Sequence, residues 1–440
     1  MTRRLDSPGQ PTAFGSTPTQ DKKPTLMALT LILMSMALNQ SGIVAGLNLS
    51  LADPLALACL LLFVAQQELL IPLRALLFYL LVAATATFTA VVVTPDAFGI
   101  RVEELGVVAD LLKLTTSFVY LIIGFNLASR GLALLVVKWF AIGAAVVALI
   151  GLSVPLLGVH ELDKIIYYGG FRFRGFMNDP NYFAVLACAA IAYFIRCRDI
   201  GRHLRLANIG VLIVAILMSG SKTGFIALLL LFAVCALEHV CLARRSAFLA
   251  TLLVLFGVAV ALFWNDISRM IVGLGVTYGE EIPQLHRVAQ LFDDSAGATS
   301  EGGSIRDQVW QNALMILGAS PILGVGFGSY TAVTEQLAGQ GLLAHNTYLQ
   351  IASEWGIPLA ILFFGWFFVT IVRGTFYGHK KRLVEILILR DVLLVFAIGS
   401  LALSLNNARM FWLFLGAIIW LQIRRRASNL APESVAQNRL

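Results

Sequence analysis

Uncharged apolar runs approaching the ~20 residues of a membrane-spanning helix recur along almost the whole of this chain. Hydrocarbon holds no water to satisfy a backbone N–H or C=O, so runs of this kind close their hydrogen bonds internally as helices. The strands of a transmembrane barrel read instead as alternating segments of about 10 residues, and no such alternation is visible. Composition agrees: 58% of the residues are hydrophobic and 13% charged, against roughly 25% charged in soluble domains. The expected fold is all-α, a polytopic helical membrane protein of about twelve transmembrane helices.

The apolar runs lie at roughly 26–44, 51–66, 73–93, 108–128, 132–157, 181–196, 207–219, 223–242, 247–264, 356–373, 388–405 and 408–423. Around them the chain divides into a polar, disordered tail (1–25), nine helices (26–264), a long hydrophilic loop (265–355), three helices (356–423) and a second tail (424–440). No internal repeat is evident. The first apolar run is too long for a signal-peptide core and lacks a cleavage site, which makes it a span. The five cysteines lie in or beside spans, with no CxxC pair and no disulfide framework.

The net charge of +7 does not describe a nucleic-acid surface, because the bases sit in short clusters between apolar runs rather than on one aromatic-lined face. Those clusters set orientation. With the N-terminus in the cytoplasm, Arg3, Arg4, Lys22 and Lys23 fall inside, as do Arg130, the Arg196 to Arg205 loop, Arg244 and Arg245. The Arg373 to Arg382 cluster and Arg424 to Arg426 follow them, so both termini are expected to be cytoplasmic. The outer side then holds the segment from His160 to Asn181 and the long loop. Residues 265–345 carry eight acids against three bases, Arg269, Arg287 and Arg306, as a translocated loop is free to do. Inside that loop, the spacing predicts a helix over 305–317 with Ser304 as its cap, ended by Ser320-Pro321. Asn346 is placed to cap a second short helix running toward Trp355.

Four outward clusters carry the candidate chemistry: Arg172 to Asn181, Ser219 to Gly224, Arg306 to Tyr330, and His345 to Gly356. Each has a plainer explanation. Asp179-Pro180 is a good helix start, Arg172 and Arg174 suit lipid headgroups, and the glycines 324, 326 and 328 read as a tight turn back to the bilayer. Ser219 to Thr223 is no phosphate loop, since Ala215 stands where the Walker pattern requires glycine. Taken together, three outward segments each bring a cation to the membrane surface and a fourth brings a histidine. Arginine offers paired donors to phosphate oxygens and lysine a point charge, while a neutral imidazole can take a proton from an attacking hydroxyl. The residues point to group transfer with a lipid diphosphate as leaving group.

The order Arg-x-x-Gly-x-x-x-x-Pro-Asn, Ser-x-Ser-Lys-Thr, Arg-x-x-x-Trp with Pro-x-x-Gly-x-Gly-x-Gly-x-Tyr, and His-Asn-x-Tyr-Leu-Gln with Glu-x-Gly resembles the O-antigen ligase and O-antigen polymerase superfamily over roughly residues 160–375. The resemblance implies transfer of a glycan from undecaprenyl diphosphate to a hydroxyl acceptor, without metal or other cofactor, at the periplasmic face of the bacterial inner membrane. It implies His345 as base or acceptor-orienting residue and Lys222 and Arg306 as diphosphate ligands, with Arg172 and Arg174 beside them. Asp179, Asn181, Asn346 and Tyr348 are supporting candidates. The family's second motif usually carries arginine, so Lys222 is a departure that weakens bidentate recognition. The Arg172 to Phe176 run leading into Asp179-Pro180-Asn181 looks more like the exopolysaccharide polymerases than the ligases that act on lipid A–core. A flippase and a chain-length regulator would then be expected partners, and nucleic acid none. A transporter or lipid-carrier flippase is the more distant alternative; it calls for mid-membrane ionisable residues, and few are present beyond Asp110 and Lys113, which are spaced to pair along one helix.

Overall fold

The computed structural model describes residues 26–44, 47–158, 160–242, 264–279, 282–293, 306–381 and 383–430. The two terminal tails up to 25 and beyond 430, the ninth apolar run but for Trp264, Arg244, Arg245, Ser304 and Ile305 lie outside the described residues. What is described is a helical bundle with two small antiparallel hairpins.

The first helices are α1 (Leu26–Ala37), α2 (Ala52–Ala65) and α3 (Leu73–Phe88), with the hairpin β1 (Gly42–Val44) and β2 (Leu47–Leu49) between α1 and α2. A π-turn at Thr89–Val93 carries α3 into α4 (Thr94–Phe98). α5 (Glu104–Ser129) and α6 (Ala133–Leu157) follow, then the short α7 (His160–Ile166) and the hairpin β3 (Tyr167–Tyr168) and β4 (Arg172–Phe173). α8 (Pro180–Arg196), α9 (Arg202–Met218) and α10 (Lys222–Leu242) come next. Among the described residues the hydrophilic region holds α11 (Trp264–Tyr278), α12 (Pro283–Asp293), α13 (Arg306–Ala319), α14 (Tyr330–Ala338) and α15 (Thr347–Trp355). α16 (Ile357–Lys381), α17 (Val384–Gly399) and α18 (Arg409–Leu430) complete the chain.

Among the described residues, five helices are long and apolar enough to cross a membrane: Leu73–Phe98, Glu104–Ser129, Ala133–Pro155, Lys222–Val240 and Ile357–His379. Leu26–Ala37, Ala52–Ala65 and Pro180–Arg196 are apolar but shorter. Each apolar run of the sequence that falls on described residues contains a helix, but the first is helical only to Ala37, with β1 at Gly42–Val44, and the 388–405 run leaves its helix at Gly399. The 305–317 helix is there from Arg306 and ends at Ala319, and the Asn346-capped helix ends at Trp355 as its spacing predicts.

One buried cluster runs through the bundle, from Leu31 and Met34 on α1 to Leu413 and Ile418 on α18. The closest crossing joins α5 to α18. A Cβ at Gly124 would stand 1.8 Å from the Leu413 carbonyl oxygen, and one at Gly416 2.0 Å from that of Leu121. Small residues let membrane helices approach backbone to backbone, which compensates for the missing hydrophobic drive between helices in lipid.

Charge is gathered at the two ends of the bundle. At one end Arg196 of α8 pairs with Asp391 of α17 and Glu238 of α10. Arg390 lies 2.6 Å from both Glu238 and Asp391, and His379 3.0 Å from Glu238. Lys138 and Asp199 are 3.8 Å apart at this end, and Arg130 pairs with Glu68 at 3.1 Å. The candidate residues lie at the other.

Candidate functional site

Arg172 is the best-fixed of the cations. Its Nε donates to the Ser219 carbonyl at 3.0 Å and its Nη2 to Asn181 Oδ1 at 3.1 Å. These bonds tie β4 to the start of α8 and to the α9–α10 turn, so three separate stretches of sequence meet here. Both acceptors are neutral. Burial first, and then Arg287 and Arg306, push the Arg172 pKa down to about 10, with Asp179 opposing them.

Asp179 does what its sequence context predicts: its Oδ1 accepts the N–H groups of Asn181 at 2.6 Å and Tyr182 at 3.1 Å, capping α8. Its charge also reaches Arg172, Arg306 and His345. Ser219 and Ser221 organise the next turn, Ser219 Oγ accepting from the Ser221 N–H at 3.2 Å and Ser221 Oγ from that of Gly224 at 3.0 Å. Lys222 therefore occupies the first residue of α10, the positive end of a helix dipole, where a cation is disfavoured unless an anion accompanies it. Arg306 opens the described part of α13, and burial and then Arg287 lower its pKa against the pull of Asp179.

His345 keeps solvent access and has φ of +48°, one of two non-glycine residues with positive φ among those described. Left-handed backbone in a residue with a Cβ is costly and is held by its surroundings. Here they are Asn346, whose Oδ1 accepts the N–H groups of Tyr348 at 3.0 Å and Leu349 at 3.1 Å, and the bond from the Thr347 N–H to the Ser400 carbonyl at 2.8 Å. Partial enclosure of the ring and then Arg306 lower its pKa from 6.5, with Asp179 opposing. The imidazole is thus neutral at neutral pH.

The glycines at 324, 326 and 328 form no simple turn. The loop inserts between α3, α5 and α15. Val325 and Gly326 donate to the carbonyls of Ser353 and Glu354 at 2.8 and 2.9 Å, Phe327 to that of Ala86 at 3.2 Å, and Gly328 to Asp110 Oδ2 at 2.8 Å. Asp110 pairs with Lys113 at 2.8 Å, as their spacing predicts. A Cβ at Gly326 would lie 2.3 Å from the Ala86 oxygen, beside the π-turn. This loop locks α13, which carries Arg306, to α15, which follows His345. Beneath it the Glu354 carboxyl accepts from Gln350 Nε2 at 2.9 Å, and burial and then Asp110 push its pKa up to about 8.

Two expected site residues stand apart. Arg174 donates to the carbonyls of Ile165 at 3.1 Å and Lys164 at 3.3 Å, bracing the end of α7 rather than joining the other cations. Tyr348 donates to the Ala397 carbonyl at 2.8 Å and stacks beside Phe364 and Phe368, a packing role. In their place the fold supplies Arg287 of α12, whose charge is felt at Arg172, Lys222 and Arg306. By sequence it is one base in an acidic loop, and only the amphipathic spacing of Leu285, Val288, Ala289 and Phe292 hints that its helix docks.

Among the described residues, four cations from four segments thus act on one another, with Asp179 felt at Arg172, Arg306 and the neutral imidazole of His345. Among the described residues no group of three His, Cys, Asp or Glu is placed to hold a metal ion. No curated protein matches the chain. Residues 207–364 match the family model Wzy_C, described as O-antigen ligase. That stretch runs from α9 into α16 and contains Lys222, Arg287, Arg306, His345 and Glu354. Over residues 207–364, then, the chain is similar to the O-antigen ligase family.

Proposed function

We propose that the protein transfers a glycan from undecaprenyl diphosphate to a hydroxyl acceptor at the periplasmic face of the bacterial inner membrane, extending an exopolysaccharide or O-antigen chain. The observation that carries this reading is the gathering of positive charge at the site: Arg287 acts electrostatically on Arg172, Lys222 and Arg306, and among the described residues Asp179 is the carboxylate felt at Arg172 and Arg306. When the anomeric C–O bond breaks, the departing diphosphate keeps the electron pair and gains negative charge. Cations already in place stabilise that product-like state more than the intact diester, which is the condition for lowering a barrier. The N-termini of α8, α10 and α15 add positive dipole ends.

His345 supplies the other half of the reaction. Its neutral imidazole takes the proton of the acceptor hydroxyl as the acceptor oxygen bonds to the anomeric carbon. The proton passes to water afterwards. His345 and Arg306 are electrostatic neighbours, so base and leaving-group ligand face one reacting centre.

A second reading, ligation to lipid A–core, draws on the description of the matched family as O-antigen ligase. Purified protein in lipid, supplied only with an undecaprenyl-diphosphate-linked glycan, distinguishes the two. Polymerisation predicts lipid-linked chains of increasing length without any other acceptor. Product formed only after lipid A–core is added overturns the polymerase assignment and leaves the ligase.

A further inference from the structure

α12 is anchored at both ends onto the segments that carry the other cations. Gln284 donates to the Phe171 carbonyl in the β3–β4 turn, and Phe292 sets its ring 6.4 Å from that of Phe225 on α10. Between these anchors Arg287 lies over the α9–α10 turn, where an added Cβ at Gly220 would be 3.5 Å from Arg287 Cδ and from Gln284 Cα. The aliphatic stem is therefore packed and the guanidinium placed.

That guanidinium is poorly served by protein. Among the described residues its Nε is buried without a hydrogen-bond partner and Arg287 forms no ion pair. Its charged neighbours include Arg172, Lys222 and Arg306, all of like sign. A buried donor left unmade and a repulsive neighbourhood both oppose folding. An anion rich in acceptor oxygens reverses both at once.

We propose that Arg287 is a further ligand of the donor's diphosphate, delivered by an anchored helix that the motif-bearing segments do not include. This rests on the diphosphate reading above. An arginine is suited to it because its rigid fork reaches two phosphate oxygens together, which the compact ammonium of Lys222 does not. Its contribution falls on the donor and its leaving group, while the acceptor meets His345.

The test uses full-length protein in nanodiscs of zwitterionic lipid with undecaprenyl diphosphate as probe. Arg287→Met keeps the stem that packs on Gly220 and removes the charge; Arg287→Lys keeps the charge. Arg287→Met is expected to weaken probe binding about tenfold to a hundredfold, and Arg287→Lys by less. The ligand-free unfolding temperature of Arg287→Met should be unchanged or raised, since a repulsive charge is gone. Wild-type binding by Arg287→Met, with Arg306→Ala weakened, overturns the role of Arg287 and leaves the diphosphate site. Wild-type binding by both overturns the site as well. Equal losses in the Met and Lys variants with a lowered unfolding temperature show a packing role and also overturn the proposal.

Discussion

At His345 a backbone in the left-handed region and a lowered imidazole pKa occur in one residue. A positioned general base contributes about 10²–10⁴-fold, so His345→Ala should slow transfer by that order while binding of the lipid-linked donor survives on the cations. The sign of the pH effect follows from the shift: protonation removes the base, and the folded pKa lies below 6.5. Transfer should thus be retained at neutral pH and fall with acidification, its midpoint below that of an ordinary imidazole, read as initial rate across a pH series. A flat profile with lost protein abundance, shared by Asn346→Ala, means capping alone. Lys222 and Arg306 give the complementary result. Arg306→Ala and Lys222→Ala should abolish transfer at normal membrane abundance, and Lys222→Arg should be active because it supplies the family's commoner cation; full activity in both Ala variants removes the leaving-group site. The helix caps at Asp179 and Asn346 were legible because capping is local, needing only a side-chain oxygen two or three residues before an N–H. Arg174 and Arg287 were not, since no local rule says which way a guanidinium turns. The hairpin directs Arg174 to carbonyls of α7, and the docking of α12 carries Arg287 to the site.

The element that joins the two halves of the reaction is the glycine-rich loop after α13. Its N–H groups are spent on the carbonyls of Ala86, Ser353 and Glu354 and on the Asp110 carboxylate, so Arg306 and His345 hold one mutual geometry. Gly326 has φ of +75° and no room for a Cβ against Ala86. Gly326→Ala should dislodge the loop and lower transfer by at least about tenfold, since small misplacements of a catalytic group are costly. Donor binding should change less, because Arg172 and Lys222 stand on other elements. Wild-type transfer by Gly326→Ala, measured at matched protein abundance, shows that the loop does not set the catalytic geometry. By sequence alone the three glycines read as a turn. Their spacing announces positive φ, but the backbone they approach belongs in part to Ala86 and Gly106, more than two hundred positions away.

Across the whole molecule, ionisable groups divide between two ends. Arg130, Arg196, Glu238, Arg390 and Asp391 are paired at one, and the cation cluster with His345 lies at the other. The first end bears the short basic loops, which the positive-inside rule assigns to the cytoplasm. Reporter fusions after Arg205 should report cytoplasm and fusions at Gly339 periplasm; a cytoplasmic signal at Gly339 overturns the orientation and the transfer chemistry with it. The sequence by itself determined the class of molecule, the positions of most of its apolar helices and the short list of cations and histidine. Apolar run length, capping and charge between spans are one-dimensional signals, and lipid enforces them segment by segment. Only the tertiary structure decided which of those charges share a site. Residues as distant as Asp179 and His345 become electrostatic neighbours through helix packing, and whether a buried cation is balanced depends on neighbours that the chain order does not reveal. For that reason Asp53 and Arg409, bonded at 2.5 and 2.7 Å, cancel one another, whereas Arg287 and Arg306 form no ion pair among the described residues.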